Sequence, residues 1–161
     1  MPAKPVILNN TPLVSLWLLD QLPLLHQLFG QVIIPAAVQA EFLAIENSAR
    51  QQALTTSNWI QITALSNPQL AQIYIGLDRG EAEVLALAIE QSARLVIMDE
   101  RKGRRYAQRL GLPLTGTLGI LLLAKEKKLI TAVSPLINQL QANNLHFDPD
   151  LVQHVHQLAG E

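Results

Sequence analysis

Three carboxylates in this chain sit where a carboxylate needs a reason. Glu41 comes one position before Phe42 and at helical spacing from Ala37, Val38 and Ile45, so it borders an inward face. Glu81 shares its stripe with Val84, Leu85 and Ala88, and Asp99 directly follows the apolar run Leu95 to Met98. An ionised group turned towards a core must be paired, used as a cap or bound to metal. Each has a plain explanation on its own: Glu81 as a helix cap, Glu41 as a rim carboxylate without a role, Asp99 as a turn residue. Glu83, aligned with Leu87 and Glu90, reads as solvated. Taken together, the first three suit divalent-metal chemistry, because hard cations prefer oxygen ligands and a two-metal site needs several carboxylates close together. Such a site activates water for in-line attack on a phosphodiester and stabilises the leaving 3′-oxygen, so no nucleophilic side chain is required.

Arg101, Lys102, Arg104, Arg105 and Arg109 crowd the segment after Asp99. They read either as phosphate ligands or as an ordinary solvated helix face. A net charge of −1 gives no global attraction to nucleic acid, so binding would have to use a local patch of this kind. Thr115-Gly116-Thr117 is a small loop at a helix start, where amides could hold a phosphate, although a turn with Thr117 as N-cap is the plainer reading. Lys125, Lys127 and Lys128 fall at a helix C-terminus and read as structural. His26, His146, His154 and His156 are not spaced as a catalytic or zinc cluster, and His154 and His156 diverge on a helix.

The elements that must position these groups follow from the apolar pattern. Val6 to Leu8, Val32 to Ile34, Ile60 to Thr63, Leu95 to Met98 and Leu112 to Leu114 read as short strands. Helices are expected at Leu13 to Leu19, with Thr11 as N-cap, and at Pro23 to Phe29, closed by Gly30. Others are expected from Pro35 through Ile45, around Ser48 to Leu54, from Pro68 to Ile75, and from Asp78, as N-cap, to Gln91. The last four are Gly103 to Leu110, Thr117 to Lys127, Pro135 to Ala142, and Pro149 to Ala159 capped by Asp148. Uniform apolar strands alternating with helices imply a parallel sheet covered on both faces. Ligands of such sheets bind at strand C-termini near the point where strand order reverses, which places Asn9, Asp99 and Gly116 on one rim.

At 161 residues, with 49% apolar and 16% charged residues, a single globular domain over 1–161 is expected. Aromatics are only 4%, so Leu, Ile, Val and Ala must form the core, and aromatic stacking of bases is disfavoured. The absence of cysteine excludes disulfides, thiol nucleophiles and cysteine-ligated zinc, and fits a reducing, cytoplasmic setting. The N-terminal stretch stops being apolar at Asn9, and Leu118 to Ala124 is too short to span a bilayer, so a soluble protein is expected. Surplus apolar face on Leu118 to Ala124 and on the Leu13 to Phe29 hairpin suggests a homodimer.

Several segments combine into a more specific pattern: Asn9-Asn10-Thr11-Pro12-Leu13, Leu28-Phe29-Gly30 through Ile34-Pro35 to Glu41, and Gly80-Glu81-Ala82-Glu83. Met98-Asp99-Glu100-Arg101-Lys102-Gly103-Arg104-Arg105 and Gly116-Thr117-Leu118-Gly119 complete it. Over nearly the whole chain this pattern resembles the PIN-like branch known as the domain of unknown function 3368 family. The resemblance implies a three-layer, Rossmann-like α/β fold with a central parallel sheet of about four to five strands. It also implies an Mg²⁺- or Mn²⁺-dependent ribonuclease acting on RNA, single-stranded by expectation, as in VapC-type toxins paired with an antitoxin protein. Glu41, Glu81 and Asp99 match the second, third and fourth acidic positions, Thr11 matches the hydroxyl residue near the first, and Glu100 is a neighbouring candidate. The first position carries Asn9 where aspartate is usual. An amide carbonyl still ligates a hard cation but lacks the charge, with Asn10 as an alternative donor, so weakened binding is expected. A catalytically degenerate module binding RNA or a protein partner is therefore the alternative. A small-molecule α/β domain is a third, although no G-x-G-x-x-G or Walker loop is present.

Overall fold

Short apolar runs form the centre of the sheet, β1 pairing with β2 and β4. The computed structural model describes residues 4–161, so the first three residues of the N-terminal stretch lie outside the described residues. Strands β1 (Val6–Leu8), β2 (Val32–Pro35), β3 (Ile60–Thr63), β4 (Leu95–Ile97) and β5 (Leu114–Thr115) form one parallel sheet in the order β3-β2-β1-β4-β5. Every residue of β1 and β2 is buried, which is why these strands read as continuous rather than alternating apolar runs. Helices flank the sheet in a three-layer α/β arrangement: α1 (Asn10–Leu18), α2 (Pro23–Phe29), α3 (Ala36–Leu43), α4 (Asn47–Thr56), α5 (Arg79–Gln91), α6 (Arg101–Arg109), α7 (Thr117–Glu126), α8 (Ser134–Ala142) and α9 (Pro149–Ala159). Among the described residues, no helix is long and apolar enough to cross a membrane.

From β1 the chain builds outwards through β2 to β3, then returns to the other side of β1 for β4 and β5. Strand order therefore reverses between β1 and β4, where connections diverge and leave a crevice at the strand C-termini. Leu8 pairs with Ile97, and the Asn9 amide donates to the Ile97 carbonyl at 2.9 Å, so Asn9 and Asp99 flank that crevice.

Several local expectations shift. Helix α1 starts at Asn10, so Asn9 is the N-cap and Thr11 lies inside the helix. Helix α3 stops at Leu43, and Glu46 turns left-handed at φ 50°, which leaves Ile45 63% exposed instead of on the inward face. The segment after Pro68 is a 3₁₀ helix ending at Ile73. Strand β5 is Leu114–Thr115 rather than Leu112 to Leu114, because its carbonyl ladder serves the Val96 and Met98 amides from Pro113 and Thr115. Helix α6 begins two residues before Gly103, and Gly116, not Thr117, is the N-cap of α7.

The leucines read as surplus apolar face are largely used within the chain: Leu13, Leu16, Leu24, Leu25, Leu118 and Leu121 are all buried. Buried Arg50 lies 4.7 Å from the Trp17 ring centre and 5.0 Å from that of Phe42, and donates to the Phe42 carbonyl at 2.9 Å. It thereby ties α4 to the end of α3 that carries Glu41.

At the opposite end of the sequence, Glu161 accepts from the Val133 and Ser134 amides at the start of α8, from the Ser134 hydroxyl and from Lys125. These donors hold its carboxyl well below the usual carboxylate range. A depressed pKa contributes stability above the ordinary value of 4.5 that is lost as pH falls below it. Glu161→Ala removes a cap and an ion pair, and is expected to cost about 1–2 kcal/mol in urea titrations at pH 7, with a smaller difference at pH 3.

Candidate metal and nucleic-acid site

Helices α3 and α5 pack together where the carboxylates lie. At α5 the Asp78 side chain accepts from the Glu81 amide at 2.8 Å, the capping geometry anticipated from the sequence. The Glu41 carboxylate from α3 lies against Gly80, one residue earlier, whose amide favours its ionised form. In return, Glu83 of α5 accepts from the Ala37 amide at the start of α3 at 3.1 Å, while its other oxygen accepts from Arg79 at 3.3 Å. Glu83 is thus not the solvated residue its spacing suggested. Pro35 precedes α3 and offers no capping side chain, so the orphan amide of that helix takes its acceptor from α5.

Gly80 permits this approach. A methyl group there would fall on the Glu41 carboxylate. Gly80→Ala is expected to displace Glu41 and destabilise the fold by about 1–3 kcal/mol, measurable as a lowered Tm, and to weaken cation binding by calorimetry.

The resulting rim is short of positive charge. Burial, then the nearby Asp78, raises the Glu41 carboxyl above its ordinary range. Glu81 is 8% exposed and is pushed up to about 7 by burial first, then by Asp78 and Glu100. Among the described residues the ion pairs are Arg50–Glu46, Arg79–Glu83 and Lys125–Glu161, none of which reaches Glu41, Asp78, Glu81 or Glu100. The sequence marks Asp78 only as a cap, and its place three residues before Glu81 is the signal that both carboxylates share one helix end.

Asp99 is held differently. Its Oδ1 accepts from the Thr117 amide at 2.8 Å and its Oδ2 from the Thr117 hydroxyl at 2.5 Å, so Asp99 caps α7. Burial raises its carboxyl, and the Thr117 hydrogen bonds and Arg104 partly offset the effect. Gly116 allows the approach, since a side chain there would meet Asp99 Oδ1 and Arg104. A carboxylate has about four acceptor positions, so Asp99 keeps capacity beyond its two bonds to Thr117.

Asn9 is 3% exposed and its side chain caps no amide. Asn10 Oδ1 is buried with no hydrogen-bond partner among the described residues, an oxygen that costs free energy unless something engages it.

The donor chemistry suits a hard divalent cation: carboxylate groups raised in pKa by burial and by the nearby Asp78, and an orphaned amide oxygen on Asn10, next in the chain to Asn9. The side chains are close enough to repel, yet among the described residues no three Asp, Glu or His side chains are gathered into a ready ligand set.

Beyond Asp99 a cleft of about 780 Å³ runs between α6 and α9. Thr11, Arg101, Arg104, Arg105 and His154 line it, whereas Lys102 and Arg109 do not. Arg104 donates to the Met98 carbonyl at 2.8 Å, so one of its guanidinium nitrogens is spent on structure. His156 faces the Ser134 hydroxyl on α8, 2.8 Å away, and His26 contacts the Gly30 carbonyl, whereas His146 and His154 both line the cleft. Comparison with protein-family models matches residues 5–161 to DUF3368, a PIN domain. The chain belongs to this PIN domain family. A comparison with curated proteins finds no match. PIN domains are a nuclease fold and generally use divalent metals, in keeping with the oxygen-rich rim of this one.

Proposed function

We propose that this PIN domain is a divalent-metal-dependent ribonuclease with a weakened metal site. The observation that carries the proposal is the group of unneutralised carboxylates Glu41, Glu81 and Glu100, joined by Asp78, at the C-terminal rim of the parallel sheet. Glu41, Glu81 and Glu100 would hold Mg²⁺ or Mn²⁺, with Asp99 and the amide oxygens of Asn9 or Asn10 completing the donors. A bound divalent cation supplies acidification of water and stabilisation of charge on the phosphate and the leaving 3′-oxygen. The protein's own part is positioning. The Ala37–Glu83 bond between α3 and α5 helps hold Glu41 beside Gly80 and Asp78 at the start of α5. Asp99 orders the α7 N-terminus through Thr117. Without metal, burial holds the Glu81 proton up to about pH 7, so a cation binding there must displace it. Metal affinity, and with it cleavage at sub-saturating metal, is therefore expected to rise as pH increases towards about 7.

Asp99→Asn offers a test that spares the fold, because an amide oxygen still accepts from the Thr117 amide. Cleavage of single-stranded RNA is expected to fall roughly tenfold or more with circular dichroism and Tm retained. Unchanged cleavage in that variant would point to a contaminating nuclease.

The second proposal is a non-catalytic PIN module that binds RNA, and it is favoured by two features: Asn9 carries no charge, and Asp99 is already engaged by Thr117. Its signature is salt-sensitive RNA binding without metal-dependent turnover.

A further inference from the structure

We propose that Arg50 is a positioning residue for Glu41: its buried guanidinium fixes the last turn of α3 against α1 and so holds the Glu41 carboxylate in place for a cation. The inference rests on the nuclease proposal for the cation that Glu41 serves, whereas the geometry of Arg50 does not. Arg50 is only 6% exposed. Among the described residues its one ion pair is with Glu46, 3.8 Å away on a largely exposed side chain, and its Nε has no hydrogen-bond partner. A cation buried with one loose partner and an orphaned N–H costs free energy that an apolar side chain of similar length would not. What the guanidinium supplies instead is geometry.

Its Nη1 donates at 2.9 Å to the carbonyl of Phe42, one of the last four in α3, which have no acceptor role inside the helix. Phe42 is the residue after Glu41. The guanidinium also lies 4.7 Å from the ring centre of Trp17 on α1 and 5.0 Å from that of Phe42, and these two rings meet edge-on at 6.1 Å. A planar guanidinium stacks on rings while donating in its own plane, which an ammonium group does not. Three helices therefore meet at one side chain of α4, and the one it joins to α3 is α1, which begins at Asn10 beside Asn9. Little else anchors that turn. Residues 44–49 are all exposed, and the other cap on the end of α3 is the exposed Asn47, donating to the Leu43 carbonyl at 3.0 Å. Glu41 itself tolerates little displacement, since it lies against Gly80, where even a methyl group would collide with it.

Charge and geometry predict opposite signs. Removing a positive charge from the neighbourhood of a divalent cation tightens its binding if only Coulomb attraction and repulsion act, whereas releasing Glu41 weakens it. The test is calorimetric titration of the full chain with Mn²⁺, each variant held well below its own Tm and its fold checked by circular dichroism. Arg50→Met is expected to bind Mn²⁺ about tenfold more weakly than native protein. Arg50→Lys, which keeps the charge and the stem but not the planar fork, is expected to lose affinity as well. In a Glu41→Gln background neither substitution should weaken binding further, because the carboxylate they release is gone. Unchanged or tighter binding in Arg50→Met would overturn the proposal, as would full affinity in Arg50→Lys, which would make the effect one of charge. The same loss with and without Glu41 would overturn it too, since it would mean a general loosening of the fold. Should Arg50→Met fail to fold, Arg50→Lys and its pairing with Glu41→Gln decide the question. If Mn²⁺ binding follows the expected pattern but native protein cuts no RNA, Arg50 keeps its role and the nuclease proposal falls. Metal-dependent cleavage with Mn²⁺ affinity indifferent to Arg50 would do the reverse, and native protein that binds no Mn²⁺ would overturn both.

Discussion

Glu81→Gln is expected to eliminate metal-dependent cleavage and, in the absence of metal, to make the protein more stable. The two effects have one cause. Glu81 is buried, and its carboxyl titrates at about 7 in the fold against an ordinary 4.5, so between these values the folded chain holds a proton that the unfolded chain has released. Stability from this group is thus fully present below 4.5, declines as pH rises and is gone above about 7. Glutamine imitates the protonated carboxyl at every pH. The variant should therefore match the native protein at pH 4 and exceed it at pH 8 by about 2 kcal/mol, a few degrees in Tm for a chain of this size. Added Mg²⁺ should raise the native Tm and leave that of the variant unchanged, because only a ligand that binds the native state shifts the equilibrium. Activity should drop by at least the ~100-fold that losing even an outer-shell metal partner can cost. A Tm that falls in Glu81→Gln at pH 8 would identify the residue as a structural cap instead.

Asn9→Asp is expected to have the opposite profile. Asn9 is almost fully buried at the β1 terminus beside the strand that leads to Asp99, so a carboxylate there adds charge where strand order reverses. One further negative charge among the ligands of a divalent cation, screened nearly as in water, should tighten cation binding roughly ten- to a hundredfold. Without metal the same charge joins a rim already raised in pKa by burial and repulsion, so Tm should fall at pH 8 and recover when metal is added. Calorimetric titration with Mn²⁺ measures both proteins directly. Equal affinities would mean that Asn9 stands outside the binding site and that the departure from aspartate has no consequence.

Much of this frame was legible in the residues themselves. The runs Val6 to Leu8, Val32 to Ile34 and Leu95 to Met98 had to be buried parallel strands, and once strand order reversed beside β1 their ends had to meet. The capping role of Asp78 was readable because it acts within one helix. Contacts that join distant segments were not: Glu83 reaches Ala37 across the α3–α5 interface, so a helical wheel of α5 alone marks it as solvated. Asp99 was visible as a rim residue, but its two bonds to Thr117 depend on β5 lying beside β4. Strand β5 itself was misplaced because Pro113 interrupts the run, while its carbonyl still serves the ladder. The exclusion of Lys102 and Arg109 from the cleft likewise depends on the face that α6 turns inward, which a cluster of basic letters does not specify.

The most direct test is cleavage of a mixed-sequence single-stranded RNA by native protein and by Glu81→Gln, each with Mn²⁺, with Mg²⁺ and with chelator, on one gel. Products are expected only in the native lanes containing metal. Products from Glu81→Gln, or from native protein in chelator, would rule out metal-dependent cleavage at Glu81.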